Sequence, residues 1–239
     1  MRGILLRVGC DSTPAGGNWN APVDPATWKY AYVPIPGSEN EYRHISPCPT
    51  YQQFRPAVER LGTHLPPNLT DQTKVHLDPD FVSLSYGDVE GPRGNTVARI
   101  GVGDFIAFFA AFHPTKHWNF PLVYCLIGLF FVARVNRVEE IPLAVRHRCA
   151  HGRRIAAERD YVFWGTPRQS GRFHRALPIG EYRDRAYRVR RDLLTAWGGL
   201  TVNDGYIQRS ARPPLFRNPD RFLSWLERQP SYRPLMHEN

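Results

Sequence analysis

The heptapeptide VHLDPDF carries a histidine and two aspartates, His76, Asp78 and Asp80, at every second position. If this segment is extended, the alternation of side chains places all three on one face of the chain. One imidazole and two carboxylates could bind a divalent metal ion, or could supply an acid and a base for proton transfer. The alternative is a turn formed by Asp78-Pro79-Asp80, with His76 as its neighbour and no chemical role.

A second polar segment, GCDSTPAGGNWN, follows the first predicted strand. Its small residues, among them Ser12, Gly16 and Gly17, would let backbone N–H groups approach a ligand closely. The segment lacks the GK[ST] of a Walker loop and the GxGxxG of a dinucleotide fingerprint. A helix N-cap or an Asx turn at Asp11 and Ser12 is the structural alternative.

A third segment, residues 151–180, surrounds a predicted strand and mixes basic with aromatic side chains. Arginines pair with phosphates and aromatic rings stack on bases, so the pattern is typical of nucleic-acid contacts. A solvated basic face beside core aromatics would produce the same pattern. The residues that we predict to contact nucleic acid are Arg153, Arg154, Trp164, Arg168, Ser170, Arg172 and His174.

The net charge of +9 is unevenly distributed along the chain. Residues 1–133 contain 10 basic and 11 acidic side chains, whereas residues 134–239 contain 21 arginines against 11 acidic side chains. This asymmetry favours a polyanionic partner for the C-terminal part. Only three of the 31 basic residues are lysines, a bias that suits phosphate recognition but that a GC-rich genome would also produce.

The spacing of apolar residues predicts the strands and helices that must position these polar side chains. Apolar runs predict strands at 3–9, 97–112, 123–135 and 160–165, with the second and third of these paired. Apolar residues at helical spacing predict helices over 181–199 and 220–229. Together these elements predict a single α+β domain over 1–239, with a strongly bent mixed sheet or a small barrel, flanking helices and an Arg-rich part at 134–239.

Cysteine usage and hydropathy exclude several other classes. Four scattered cysteines without a CxxC pair indicate free thiols in a reducing cytoplasm, not a zinc ribbon or a disulfide framework. The N-terminal stretch MRGILLRVG is too short, and is interrupted too early, to be a signal peptide. The longest apolar run, 120–135, falls short of the ~20 residues that a membrane span needs. We therefore expect a soluble, cytoplasmic protein without a membrane partner.

Several motifs follow one another between residue 4 and about residue 180: LLRVGCDSTPAGG, YVPIP, HLDPDF, GVGDFIAFFAAF with LIGLFFV, and VFWGTPRQSGRFHRALPI. In this order they resemble the nucleotide modification associated domain family, type 3. The resemblance implies a role in systems that synthesise, recognise or act on modified bases in DNA. The segment from Gly103-Asp104 through the next two strands also resembles PUA-like and EVE-like barrels, which hold a flipped or modified base in a pocket.

Three functions are compatible with these features. The first is an enzyme that acts on a nucleobase or nucleotide by hydrolysis or transfer. The second is a non-catalytic reader of modified nucleic acid, and the third is a structural subunit of a modification complex. The expected partners are a nucleotide or nucleic acid, DNA foremost, and proteins of a modification system; the cofactor is unknown, a divalent metal being one option. The candidate catalytic residues are Asp11, Ser12, His76, Asp78 and Asp80, of which the last three are also the metal candidates.

Overall fold

The computed structural model of the protein describes residues 1–11, 19–37, 48–89, 94–154, 159–208, 212–233 and 235–239. The strands are β1 (Gly3–Arg7), β2 (Pro22–Val23), β3 (Ile35–Pro36), β4 (Val75–His76), β5 (Ser85–Val89), β6 (Phe105–Pro114), β7 (Val123–Arg137), β8 (Asp160–Gly165), β9 (Gly171–Pro178), β10 (Gly180–Arg183) and β11 (Ala186–Val189). The α-helices are α1 (Arg55–Glu59), α2 (Gly94–Val97), α3 (Ala150–Arg153), α4 (Arg191–Trp197) and α5 (Pro219–Glu227). Short 3₁₀ turns lie at Tyr51–Gln53, Val138–Glu140, Leu143–Arg148 and Asn203–Gly205.

One mixed sheet organises the described residues. Strands β1, β6, β7, β8 and β5 lie side by side in that order, while β2 pairs with β6 and β9 pairs with β7. Strand β1 is parallel to β6, whereas β7 is antiparallel to β6, β8 and β9. The predicted α+β class with a mixed sheet is confirmed, as is the pairing of the two long apolar strands.

The central strand β6 is buried on both faces. Its Ile106 and Phe108 belong to one hydrophobic cluster, whereas Phe105 and Ala107 belong to another. Because successive side chains of a strand point to opposite faces, these two clusters cover the two sides of the sheet. Both faces are apolar, so the strand appears in the sequence as a continuous hydrophobic run without alternation.

Strand β7 changes partner along its length. Residues 125–129 pair with β9, and residues 132–137 pair with β8. The register shifts within each pairing, between Leu126 and Gly128 and between Val132 and Arg134, and such irregularities bend a strand. The described strands nevertheless form an open sheet, so the barrel and the PUA-like alternative are not confirmed.

The single helix predicted over 181–199 is wrong in its first half. Strands β10 and β11 form an antiparallel hairpin there, with Tyr182 opposite Tyr187, and only residues 191–197 are helical. The hairpin turns at Asp184 and Arg185, whose φ angles are 49° and 60°. Two successive positive φ angles are typical of the tight turns that join antiparallel strands. Tyr187 and Val189, two residues apart, both lie in the hydrophobic cluster that contains Phe105, so the segment also carries the two-residue period of a strand.

The predicted C-terminal helix is confirmed as α5. The side chain of Asn218 accepts a hydrogen bond from the backbone N–H of Arg221 at 3.1 Å, and Pro219 occupies the first turn. Both features are typical of helix N-termini. The helix packs Phe222 against Phe105 of the sheet, with ring centroids 5.5 Å apart. This contact ties the C-terminal part to the central sheet.

Two further sequence expectations concern cysteines and membranes. All four cysteines are free; Cys10, Cys125 and Cys149 are buried and Cys48 is half-buried. The prediction of free thiols is therefore confirmed. Within the described ranges, no helix has both the length and the apolar character needed to cross a membrane.

Candidate functional site

A cleft of about 380 Å³ opens beside the ends of β1, β4 and β5. We call it the histidine cleft, because two of the residues that line it are histidines from distant parts of the chain. Its lining residues are Arg7, Val8, Gly9, Asp11, Ile35, His76, Asp78, Tyr86, Gly87, Asp88, Val89, His151 and Arg154.

His76 and Asp78 enter the histidine cleft from β4 and the residues after it. The Nε2 atom of His76 lies 3.7 Å from Oδ2 of Asp78. The backbone N–H of Gly87 donates to both carboxylate oxygens of Asp78, at 2.9 and 3.0 Å. Strand β5 therefore fixes the carboxylate of Asp78 from its backbone and leaves it facing the imidazole.

His151 reaches the same carboxylate from α3. Its Nε2 atom lies 3.5 Å from Oδ2 of Asp78, and its ring lies edge-on to that of His76, with centroids 5.1 Å apart. A Cβ atom added to Gly87 would lie only 2.3 Å from Cδ2 of His151. Only glycine at this position leaves room for the imidazole, so Gly87 supports His151 as well as Asp78.

Asp160, the first residue of β8, lies behind His151. Its Oδ2 atom is 3.4 Å from Nδ1 of His151, an ion-pair distance without good hydrogen-bond alignment. Arg154 donates two hydrogen bonds to the same carboxylate, both at 3.0 Å. Burial alone would raise the pKa of Asp160, but the contacts with His151 and Arg154 outweigh burial and hold that pKa below its usual value. Asp160 is therefore an ionised carboxylate against the buried side of the imidazole.

Asp11 lines the histidine cleft together with His76 and Asp78. It follows β1 and forms an ion pair with Arg7, whose Nε atom lies 3.1 Å from Oδ2 of Asp11. Folding thus brings the first and second polar segments of the sequence to one cleft. The other predicted residues of that segment, Ser12 with Gly16 and Gly17, lie outside the described residues.

Asp80 has different surroundings and does not line the histidine cleft. Its Oδ1 atom accepts hydrogen bonds from the backbone N–H groups of Val82 and Ser83, both at 3.0 Å. Its Oδ2 atom lies 3.4 Å from the guanidinium of Arg153. These are the contacts of a turn-forming aspartate, so the structural alternative describes Asp80 but not Asp78.

The seven predicted nucleic-acid contacts occupy different environments. Three of them are buried: Arg153 donates to the carbonyl of His147 at 2.7 Å, Ser170 receives the N–H of Phe131 at 3.0 Å, and Arg172 pairs with Glu238. Arg154 lines the histidine cleft, Trp164 lines a second cleft, and Arg168 and His174 are exposed. These three side chains make their polar contacts within the fold.

The second cleft, of about 790 Å³, surrounds Trp164. We call it the tryptophan cleft. The guanidinium of Arg134 lies over the indole, 5.1 Å from the ring centroid. Other residues that line this cleft are Val82, Ser83, Leu84, Asn136, Glu140, Ile141, Pro142, Val145, Arg148, Gly165, Pro167 and His237.

Sequence reasoning missed three residues of the histidine cleft and its surroundings: Gly87, His151 and Asp160. His151 begins the basic segment 151–180, and Asp160 begins the predicted strand 160–165. Their contacts depend on the pairing of β5 with β8, in which Val89 lies opposite Asp160. The one local signal is the run from His151 to Asp160, where a histidine and three arginines precede an aspartate at a strand start.

One of three comparisons with known proteins found a match, and the matched residues include the histidine cleft. A family model described as nucleotide modification associated domain 3 matches residues 2–204, a range that includes every residue of the histidine cleft. No curated protein and no solved structure gave a significant match. The family predicted from sequence motifs is confirmed, and the chain belongs to the nucleotide modification associated domain 3 family, whose description connects it with the modification of nucleotides.

Proposed function

We propose that this protein is an enzyme that acts on a nucleobase or nucleotide in the histidine cleft. The observation that carries the proposal is the meeting of His76, Asp78 and His151, backed by Asp160, in one cleft. His76 and Asp78 come from one heptapeptide at β4, whereas His151 and Asp160 come from α3 and β8, far along the chain. A family associated with nucleotide modification makes a nucleotide the first substrate class to consider.

The energetic cost of the cluster supports a functional role. Asp78, His151 and Asp160 are almost entirely buried, with side chains 6%, 5% and 0% exposed. Burying ionisable groups costs free energy, and apolar side chains of similar size would stabilise the fold as well or better. Such clusters in a cleft are therefore typical of active sites.

The size and lining of the histidine cleft suit a mononucleotide or a flipped base. Its volume of about 380 Å³ lies within the usual range for small-molecule sites. Arg7 and Arg154 supply guanidinium groups, which pair well with phosphate. Tyr86 and Ile35 add apolar surface on which a base can pack.

The arrangement suits hydrolysis or group transfer. A carboxylate lies near each ring nitrogen of His151, Asp78 beside Nε2 and Asp160 beside Nδ1, and the two together orient the ring. An imidazole held in this way can accept a proton from water, and it can equally ligate a cation that activates water. In either case, removal of this imidazole should abolish turnover.

The direct test compares His151→Gln with the parent protein on nucleoside mono- and triphosphates and on DNA that contains modified bases. We expect turnover by the parent and a loss of at least about a hundredfold in the variant. His117→Gln is the matched control, because His117 is exposed in the β6–β7 loop, outside both clefts. Equal turnover by His151→Gln and the parent, in protein that circular dichroism shows to be folded, would contradict the proposal.

The tryptophan cleft favours a second candidate function, that of a reader. The indole Nε1 atom of Trp164 is buried and has no acceptor within the part of the chain that the structure describes. An indole stacked against a guanidinium could hold an unpaired base of a nucleic acid. A reader predicts that Trp164→Ala weakens binding of single-stranded DNA, and that parental affinity falls steeply with salt. Binding that is indifferent to both changes would exclude it.

A further inference from the structure

The donor atoms of His76, Asp78 and His151 are close enough to share one cation. The two Nε2 atoms lie 3.7 and 3.5 Å from Oδ2 of Asp78, and all three donor atoms lie within 4.8 Å of one another. Donors at ~2.1 Å from a tetrahedral metal ion are separated by roughly 3.4 Å. Small movements of the side chains would therefore complete the coordination.

Asp160 supplies the second element of a metal site. Histidines that ligate metals almost always present their other ring nitrogen to a carboxylate, a carbonyl or water. Asp160 is placed for this role beside His151, since its Oδ2 atom lies 3.4 Å from Nδ1, although the two groups are not aligned for a hydrogen bond in this geometry. That contact orients Nε2 of His151 toward Asp78.

The charges that line the histidine cleft also favour a cation. Three carboxylates, from Asp11, Asp78 and Asp88, face two guanidinium groups, from Arg7 and Arg154. The buried carboxylate of Asp160 lies behind this surface. A divalent cation would remove the negative excess and turn the cleft into an attractive site for phosphate.

Two imidazoles among three donors select the class of metal. Mg²⁺ and Ca²⁺ prefer oxygen donors, whereas imidazole suits Zn²⁺ and the neighbouring transition metals. Three protein ligands leave at least one coordination position for water or substrate, as in catalytic metal sites.

We infer that His76, Asp78 and His151 bind one divalent transition-metal ion of the Zn²⁺ class, with Asp160 positioning His151. The inference deepens the proposed function, because the ion would lie in the same cleft and activate water or a substrate oxygen there. It extends the metal candidates drawn from sequence by His151, and it leaves Asp80 outside the ligand set.

The test measures metal binding by the full-length protein without any substrate. After treatment with a chelator, the parent should bind one Zn²⁺ per chain in calorimetry, and Co²⁺ should produce visible d–d absorption. His76→Gln and His151→Gln should each weaken binding at least tenfold and abolish the Co²⁺ spectrum. Asp160→Asn should weaken binding by about 10- to 100-fold while the stoichiometry stays at one. His117→Gln should match the parent.

A parent that binds no Zn²⁺ or Co²⁺, or histidine variants that bind both ions like the parent, would overturn the inference. If the variants do not fold, anomalous diffraction from a parent crystal soaked in ZnCl₂ decides the matter. A peak within bonding distance of the three side chains supports the site, and a peak elsewhere or no peak refutes it. Nucleotide turnover that persists in excess chelator would refute the metal site and leave the proposed enzymatic function standing. A bound metal ion without nucleotide turnover would support the metal site and refute the proposed function.

Discussion

At the scale of single residues, Gly87 decides how the histidine cleft is built. Its N–H binds the carboxylate of Asp78, and its missing side chain makes room for the ring of His151. No larger residue can do both, because a Cβ atom would lie 2.3 Å from that ring. The position of a reactive imidazole thus depends on the absence of one methyl group.

Gly87→Ala should displace His151 and impair function without unfolding the protein. We expect turnover to fall about a hundredfold, since small misplacements of a reactive group have effects of that size. Overpacking should also cost about 1–3 kcal/mol of the free energy of unfolding. Turnover assays and a crystal structure of the variant check both effects.

Gly101→Ala is the matched control for that experiment. A Cβ atom at Gly101 meets nothing within 4 Å, so this variant should behave like the parent. Parental turnover by Gly87→Ala, with His151 unmoved in its crystal structure, would show that the cleft tolerates the extra methyl group and that this account of Gly87 is wrong.

The part of the histidine cleft that the sequence predicts is the part formed by neighbouring residues. His76 and Asp78 could be selected from one heptapeptide, because alternation along a strand requires only neighbouring residues. Asp80 breaks that alternation after Pro79, where its carboxylate turns to the N–H groups of Val82 and Ser83. His151 and Asp160 were not selected, because their contacts arise from the pairing of distant strands.

At the scale of secondary structure, the long strands were predictable and the amphipathic segments were less so. Strand β6 and residues 123–132 of β7 are apolar on both faces, so each appears in the sequence as a continuous hydrophobic run. In residues 181–199, by contrast, the apolar spacing suits both the helical and the strand period. The turn at Asp184-Arg185 makes the first half of this segment a hairpin. Neither residue is glycine or asparagine, so the usual signal for such a turn is missing.

Helix α5 should contribute strongly to stability through Phe222. This side chain is fully buried and packs against Phe105, Phe216 and Trp197. Phe222→Ala should lower the free energy of unfolding by about 3–5 kcal/mol, measured by denaturant titration. Glu227→Ala, at an exposed position of the same helix, should change it by no more than about 0.5 kcal/mol. Similar unfolding midpoints for the two variants would mean that α5 does not anchor the C-terminal part to the sheet.

At the scale of the whole molecule, the basic charge of the C-terminal part is partly used within the fold. Arg183 and Arg188 pair with Asp204, and Arg190 pairs with Asp192. A count of arginines along the sequence cannot separate these internal pairs from exposed cations, because Asp204, the partner of Arg183 and Arg188, lies on another element. The net charge therefore indicates a polyanionic partner less directly than the sequence suggests.

Thiol chemistry provides a test of the overall packing. Burial, with a smaller contribution from Asp11, raises the pKa of Cys10 to about 12, and burial raises that of Cys149 to about 11. Burial also raises the pKa of Cys125 and of the half-buried Cys48. A raised pKa means less reactive thiolate at any given pH, so at pH 8 only Cys48 should react with a thiol reagent, and slowly. Four thiols should react after denaturation; fast reaction of two or more in the native protein would contradict the packing described here.

The central claim, that the histidine cleft is where a nucleotide is bound and transformed, is tested most directly by a crystal of the parent protein soaked with a nucleoside monophosphate. The account predicts density for the ligand beside His76, Asp78 and His151, with its phosphate within hydrogen-bonding reach of Arg7 or Arg154. Density confined to the tryptophan cleft, or an empty histidine cleft at a saturating ligand concentration, would contradict it.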